Sequence, residues 1–338
     1  MRKSVQDQSV VITGASSGIG RATALMFAEK GACVTLVARR DELLHELAAE
    51  CERAGGRALV VTADVTDEEA VREVARQAVE SFGKIDVWVN NAAVTAFGFF
   101  EQTPSDTFRQ IIDTNLFGYV HGARAALPHF RKQGRGVLVN VGSVVSQVAE
   151  PYATAYAASK WAIRGFSQSL RQELFVQGEK SIHVCTVMPA TIDTPIFQHA
   201  GNYSGREVVA MPPIYPADQV ARTIVRMAVR PEREIFVGGM ARMFWLMSMF
   251  FPGMAERQMA MTAHRKQLGK EEPAVNTNGN LFAPTGDRMK VSGGWKKRRT
   301  AELLRNSLVF VAAAAPLVAG AMLLGPKYGP AIARRLAA

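Results

Sequence analysis

A doubly wound α/β fold, in which a parallel sheet of about seven strands carries helices on both faces, is what this 338-residue sequence predicts. Three observations carry it. Short, β-branched apolar runs alternate with helix-length amphipathic stretches from residue 10 to residue 237. A glycine-rich turn, Thr13-Gly14-Ala15-Ser16-Ser17-Gly18-Ile19-Gly20, stands directly between the first run and the first helical stretch. Hydrophobic residues at 48% and charged residues at 21% are ordinary for a globular chain, which excludes disorder and a multi-span membrane protein.

Val10 to Ile12 reads as a buried strand, Ile19 to Lys30 as a helix and Cys33 to Ala38 as the next strand, together a βαβ unit. The alternation continues with a helix from Asp41 to Ala54, a strand from Ala58 to Thr62, a helix from Asp67 to Phe82 and a strand from Asp86 to Val89. A single long helix, Ser105 to Arg131, then precedes the strand Val137 to Val141. A helix from Ala155 to Gln177, the strand Ile182 to Met188, a helix from Ala217 to Val229 and the short strand Glu234 to Val237 complete the set. Beyond residue 239 the pattern changes. Residues 240–269 form a helical, apolar appendage rich in Met, Phe and Trp, expected to pack on the core or a second subunit or to lie at a membrane interface. Residues 270–299, with Asn276-Thr277-Asn278-Gly279-Asn280, Pro284-Thr285-Gly286 and Ser292-Gly293-Gly294, read as a flexible basic linker. Residues 300–338 are a hydrophobic tail.

The formal charge of +10 belongs to that end of the chain. From His264 onward 13 Lys and Arg stand against 4 Asp and Glu. No recognition motif accompanies the basic run, so a nucleic-acid partner is not expected. Residues 306–326 carry no charge over 21 positions, enough as a helix to cross about 30 Å of hydrocarbon. The larger basic cluster, Lys296-Lys297-Arg298-Arg299, precedes it, which predicts a cytoplasmic catalytic domain held to a membrane by 306–326; a helix covering a homo-oligomer surface is the alternative. Cys33, Cys51 and Cys185 lie outside any paired motif, and the six histidines show no ligand spacing, so neither a disulfide framework nor a metal is expected.

The glycines Gly14, Gly18 and Gly20 allow a tight turn and a close backbone approach to a pyrophosphate at a helix N-terminus, with Ser16, Ser17 and Ile19 beside them. At this point the sequence resembles the short-chain dehydrogenase/reductase family, whose phosphate loop is Thr-Gly-x-x-x-Gly-x-Gly in the same place of a Rossmann-type fold. The resemblance runs over about residues 5–239. It implies that Asp64-Val65 meets the adenine, that Asn91, Ala92 and Ala93 of the run Asn90-Asn91-Ala92-Ala93 border the cofactor, and that Pro189, Ile192 and Thr194 reach the nicotinamide carboxamide. Ala93 and Ala190 stand where the family has Gly. At the end of the second strand, Arg39 and Arg40 suit the 2′-phosphate of NADP(H), because a guanidinium fits a phosphate through paired charged hydrogen bonds.

Tyr156 and Lys160, four residues apart, share one helix face. A free phenol, with a pKa of about 10, is a poor base at neutral pH, and a nearby ammonium favours the phenolate. The resemblance implies that Tyr156 is the acid/base, that Lys160 lowers its pKa and holds the nicotinamide ribose, that Ser143 orients the substrate oxygen and that Asn115 supports a water beside the lysine. The expected activity is NADP(H)-dependent interconversion of a carbonyl and a secondary alcohol. The residues 195–216, with Phe197, Tyr203, Met211 and Ile214, are the expected lid over an apolar substrate. A catalytically silent NADP(H)-binding sensor or membrane scaffold is the alternative, against which the complete set Ser143, Tyr156 and Lys160 argues.

Overall fold

The seven β-branched runs form one parallel sheet in the computed structural model, which describes residues 4–285 and 290–296. The strands are β1 (Ser9–Thr13), β2 (Cys33–Ala38), β3 (Arg57–Thr62), β4 (Val87–Asn90), β5 (Gly136–Val141), β6 (Ile182–Pro189) and β7 (Glu234–Val237). Their spatial order is β7-β6-β5-β4-β1-β2-β3. Winding reverses between β1 and β4, so a crevice opens beyond the carboxyl ends of these two strands. β1, β4 and β5 are wholly buried, which is why they read as continuous apolar runs.

Helices α1 (Gly18–Ala28), α2 (Asp41–Arg53), α3 (Glu68–Phe82), α4 (Ser105–Ile112), α5 (Gly118–Gln133), α6 (Thr154–Val176) and α7 (Ala217–Val229) link the strands. One core cluster, with Phe27, Leu36, Leu44 and Ile224, lies between the sheet and α1, α2 and α7; another, with Val74, Trp88, Phe130 and Leu174, lies against α3, α5 and α6. The ends of α3 show why it starts and stops where it does. Asp67 caps it by accepting from the amides of Glu69 and Ala70 at 2.9 and 3.1 Å, and Gly83 closes it at φ +76°.

The single helix predicted from Ser105 to Arg131 is instead two helices joined by a π-helical turn, Asp113–Phe117. The cause is Asn115, fully buried, whose Oδ1 accepts from Val94 N at 2.8 Å while Nδ2 donates to Val94 O at 3.0 Å. One side-chain amide pairs with a backbone unit as a neighbouring strand would, and the wider turn accommodates it.

The predicted boundary at residue 239 is not a boundary in space. The chain through Gly293 makes one compact unit that runs across it. Helices α8 (Gly239–Phe250) and α9 (Pro252–Lys266) bury Phe244, Ala255 and Met259 against Val148, while Met249, Phe250, Phe251 and Met254 remain exposed. Residues 270–285 of the expected linker are also built into this unit. The strand Leu268–Pro273 pairs antiparallel with Arg206–Val208, Thr277 bridges to Asn202, and Leu281 is fully buried with Val94, Ala96, Ile111 and Tyr203. Its turn-forming residues make one tight, anchored turn: Gly279, at φ +53°, donates to Thr277 Oγ1, and Asn280 N donates to His199 O. The tail 306–326 lies outside the described residues. Among the described residues no helix is long and apolar enough to cross a membrane.

Candidate active site

The phosphate loop is shaped by what its glycines lack. Gly14 and Gly18 take φ of +65° and +53°, a region that favours glycine. A Cβ on Gly14 would stand 2.8 Å from Ala92 Cα, and one on Gly20 would overlap the Gly14 carbonyl oxygen. The loop therefore lies flat on the end of β4. Asn91 fastens it there: its Nδ2 donates to Thr13 O at 2.9 Å and Gly14 O at 3.2 Å, while Thr13 Oγ1 accepts from the amides of Asn91 and Ala92. Gly18 N donates to the carbonyl of Lys290 at 3.1 Å.

A cleft of about 250 Å³ runs from this loop across the sheet's carboxyl edge. Gly14, Ser16, Ser17, Gly18, Ile19, Arg39, Arg40, Asp64, Val65, Asn91, Ala92, Ala93, Ser143, Tyr156, Lys160, Pro189, Ile192 and Thr194 all line it. Of the residues expected at the site, Gly20 and Asn115 stand behind the wall and act on its shape. Arg39 lies 3.8 Å from Asp64, and burial together with the charge of Arg39 holds Arg40 below the usual guanidinium range.

Ser143 follows β5 as the cap of a short 3₁₀ turn, its hydroxyl accepting from Val145 N at 3.2 Å. Tyr156 and Lys160 lie one turn apart on α6. Lys160 is only 1% exposed; its Nζ donates to Val141 O at 2.9 Å and to Tyr119 Oη at 3.5 Å, and sits 5.5 Å from the centre of the Tyr156 ring. Burial pushes this amine down to about 7. Burial, and then the Glu150 carboxyl, hold the Tyr156 phenol well above its ordinary value, against the pull of the Ser143 hydrogen bond. Desolvation thus sets the direction at both groups. Asn115 also fastens the start of α6: its Nδ2 donates to Ser159 Oγ at 3.0 Å, and Ser159 Oγ donates to Tyr156 O at 2.7 Å.

Phe197 and Met211 of the expected lid line the cleft, whereas Phe97, Glu150 and Met259 in it and Tyr119 behind it carried no signal in the sequence. Tyr119, on α5, donates its hydroxyl to Val141 O at 3.0 Å beside Lys160. Glu150 is pushed up to about 7 by burial, and a hydrogen bond from Gln267 opposes that shift. Phe97, Phe197, Met211 and Met259 give the same end of the cleft an apolar wall. Tyr203, expected in the lid, is instead buried away from the cleft, its hydroxyl bonded to Thr107 and Asn278. His199, Asn280, Pro284 and Thr285 close the end near Arg39 and Arg40. A spacing search would have missed them, because each side chain is unremarkable where it stands in the chain.

The parallel order, the reversal between β1 and β4 and the flat glycine loop at that point define a dinucleotide-binding α/β protein. Residues 8–203 match the family model described as short chain dehydrogenase. The chain belongs to the short-chain dehydrogenase family of oxidoreductases. It is 36% identical over 326 residues to the uncharacterized oxidoreductase YxnA of Bacillus subtilis, covering 94% of this chain and 91% of that one. It is 35% identical over 263 residues to 11-beta-hydroxysteroid dehydrogenase A of Sesamum indicum, covering 75% and 74%. Among solved structures, an alcohol dehydrogenase from the archaeon Thermococcus sibiricus complexed with 5-hydroxy-NADP is similar at 27% identity and a TM-score of 0.59, covering 68% of this chain and 95% of that one.

Proposed function

We propose that this protein is an NADP(H)-dependent oxidoreductase that interconverts a carbonyl and a secondary alcohol on a hydrophobic substrate. The observation that carries the reading is one cleft holding both the glycine loop and the side chains of Ser143 and Tyr156, with Lys160 buried beside them. The residues fit the cofactor. The loop lies flat on the end of β4 because a side chain on Gly14 or Gly20 would strike the backbone behind it, and Arg39 and Arg40 line the cleft where a 2′-phosphate would lie. The similar archaeal structure was solved with an NADP derivative, which agrees with this choice.

The bound nicotinamide supplies the hydride chemistry. In reduction, Ser143 holds the substrate oxygen and Tyr156 gives its phenolic proton to that oxygen; in oxidation, the phenolate receives it. Lys160 would hold the ribose of the nicotinamide half. Phe97, Phe197, Met211 and Met259 exclude water from the reacting end and favour an apolar substrate, with Glu150 and Gln267 as the polar groups among them.

Tyr156→Phe tests the assignment. NADPH oxidation against a panel of ketones and aldehydes should fall by about 10²–10⁴-fold, the range for loss of a general acid, with NADPH binding retained. A variant that keeps wild-type turnover sinks the role of Tyr156.

A further inference from the structure

Two buried polar atoms of the cleft wall, Thr95 Oγ1 and Gln267 Oε1, meet no partner among the described residues. Thr95 is 3% exposed and Gln267 2%, so an unanswered polar atom at either carries the cost of its desolvation. Their neighbours place them at one end of the cleft. Val94 and Ala96 enter one buried cluster and Phe97 another, so the chain alternates here and Thr95 falls on the Phe97 side. Phe97 shares its cluster with Leu268, the residue after Gln267, and Tyr156 packs against that cluster. The main chain holds Gln267 in place, its N donating to Ala263 O at 2.9 Å and its O accepting from Val209 N at 2.8 Å.

This end of the cleft also holds a carboxyl. The Gln267 amide bears on Glu150, and the Glu150 charge bears on the Tyr156 phenol, so all of these groups stand close to the reacting end. Phe97, Phe197, Met211 and Met259 make the wall around them. Such a wall grips a ligand by apolar contact and fixes its orientation through a few polar groups. Gln267 Oε1 can only accept a hydrogen bond, so its ligand must donate one, whereas Thr95 Oγ1 can do either. A ligand hydroxyl meets both demands; an ether or a second carbonyl leaves Gln267 unanswered. An ammonium would call for a carboxylate kept ionised, and burial favours the protonated form of Glu150. We propose that Thr95 and Gln267 form a hydroxyl-recognition subsite, and that the substrate is an apolar ketone carrying a hydroxyl away from the reacting carbon, or the diol to which it is reduced. This rests on the carbonyl–alcohol reading above and narrows its substrate class.

Benzylacetone and its ortho-, meta- and para-hydroxy derivatives test the subsite, with the para-aminomethyl derivative as a cationic arm. The kcat/KM of their NADPH-dependent reduction is measured on the full-length wild type and on Thr95→Val and Gln267→Met, which nearly keep side-chain size and remove the polar atom. Wild type should favour at least one hydroxy derivative over benzylacetone by about tenfold or more, because the plain ketone leaves the polar atoms unpaired, and each variant should bring that ratio toward parity. A merely structural loss lowers both efficiencies alike and leaves the ratio unchanged. Equal efficiency on plain and hydroxylated ketones, or a ratio that survives both substitutions, overturns the subsite and leaves the carbonyl–alcohol reading standing. Preference for the aminomethyl derivative assigns a cation site at Glu150 and overturns the hydroxyl reading. A raised NADPH dissociation constant in the variants with the ratio intact assigns the two atoms to the cofactor, with the same consequence. Wild type inert on all of these ketones, or Tyr156→Phe as active as wild type, counts against the carbonyl–alcohol reading itself.

Discussion

Replacing Lys160 with Met should change how the ligand-free protein's stability responds to alkaline pH. Lys160 is 1% exposed, and burial brings its amine from 10.5 down to about 7. Between about pH 7 and 10.5 the unfolded chain holds this proton and the folded chain does not. The unfolded state thus binds more protons in that window, and stability rises with pH through it. Each pH unit is worth about 1.4 kcal/mol, so the contribution of this group grows by about 5 kcal/mol across the window. Below about pH 7 both states are protonated, and the buried cation is a constant penalty. Cys51 and Cys185, both pushed up to about 12 by burial, titrate with the opposite sign, but they are present in both proteins and cancel in the difference. Urea unfolding of wild type and Lys160→Met at half-unit intervals from pH 6 to pH 10.5 should therefore give a stability difference that is flat at first and then climbs toward wild type. A difference flat over the whole range would mean that the amine keeps its ordinary pKa, and the account of Tyr156 as unassisted by a cation in the resting site would fall with it.

Glu150→Gln should act in the neighbouring window with the opposite slope. The folded protein holds this proton up to about pH 7 while the unfolded chain loses it near 4.5, so wild type should lose stability relative to the variant as pH rises from 4.5 to 7; parallel curves would contradict the burial of this carboxyl. Gly20→Ala should weaken NADPH binding by about tenfold or more, because its Cβ would overlap Gly14 O and stand 2.6 Å from Asn91 Nδ2; unaltered affinity in a fluorescence titration would refute the flat-loop geometry. Asp67→Ala removes two bonds to the first turn of α3 and should cost about 1 kcal/mol in urea unfolding, with no change in cofactor affinity. Tyr119→Phe leaves Val141 O its bond from Lys160, so the loss should be only about 0.5–1.5 kcal/mol, and a larger one would mean that the hydroxyl is needed to seat the lysine.

The sheet is legible because each strand is a local β-branched run, and burial on both faces of β1, β4 and β5 leaves an unbroken apolar signal there. The glycine loop was legible for a similar reason, since backbone geometry there restricts residue type at fixed spacing. The π-helical turn was not. Helical periodicity runs on from Ser105 to Arg131, and the departure comes from Asn115 pairing with Val94, a contact across 21 positions that local periodicity cannot register. Residues 277–285 read as linker for a related reason: their anchors, the buried Leu281, the Asn278 and Thr285 side chains and the carbonyls that meet Arg39 and Arg40, are spread singly along a turn-forming stretch. Turn-forming composition distinguishes a segment without a periodic core face, but it does not distinguish a loose one from one tied down at a few points.

The Tyr156 and Lys160 pair shows the same limit in energetic form. Four-residue spacing brings a phenol and an amine to one helix face, and from that alone the cation should stabilise the phenolate. Burial acts on both groups at once, pushing the amine down and the phenol up, so each favours its neutral form. Attraction between two charges matters only once both charges exist. The proton therefore stays on the phenol, ready to be given to a substrate oxygen, while the amine exchanges its own near neutral pH. Positive charge entering the cleft with the oxidised cofactor would favour the phenolate needed for the reverse step. The sequence identifies the partners; their charge depends on how much water the folded chain leaves around them.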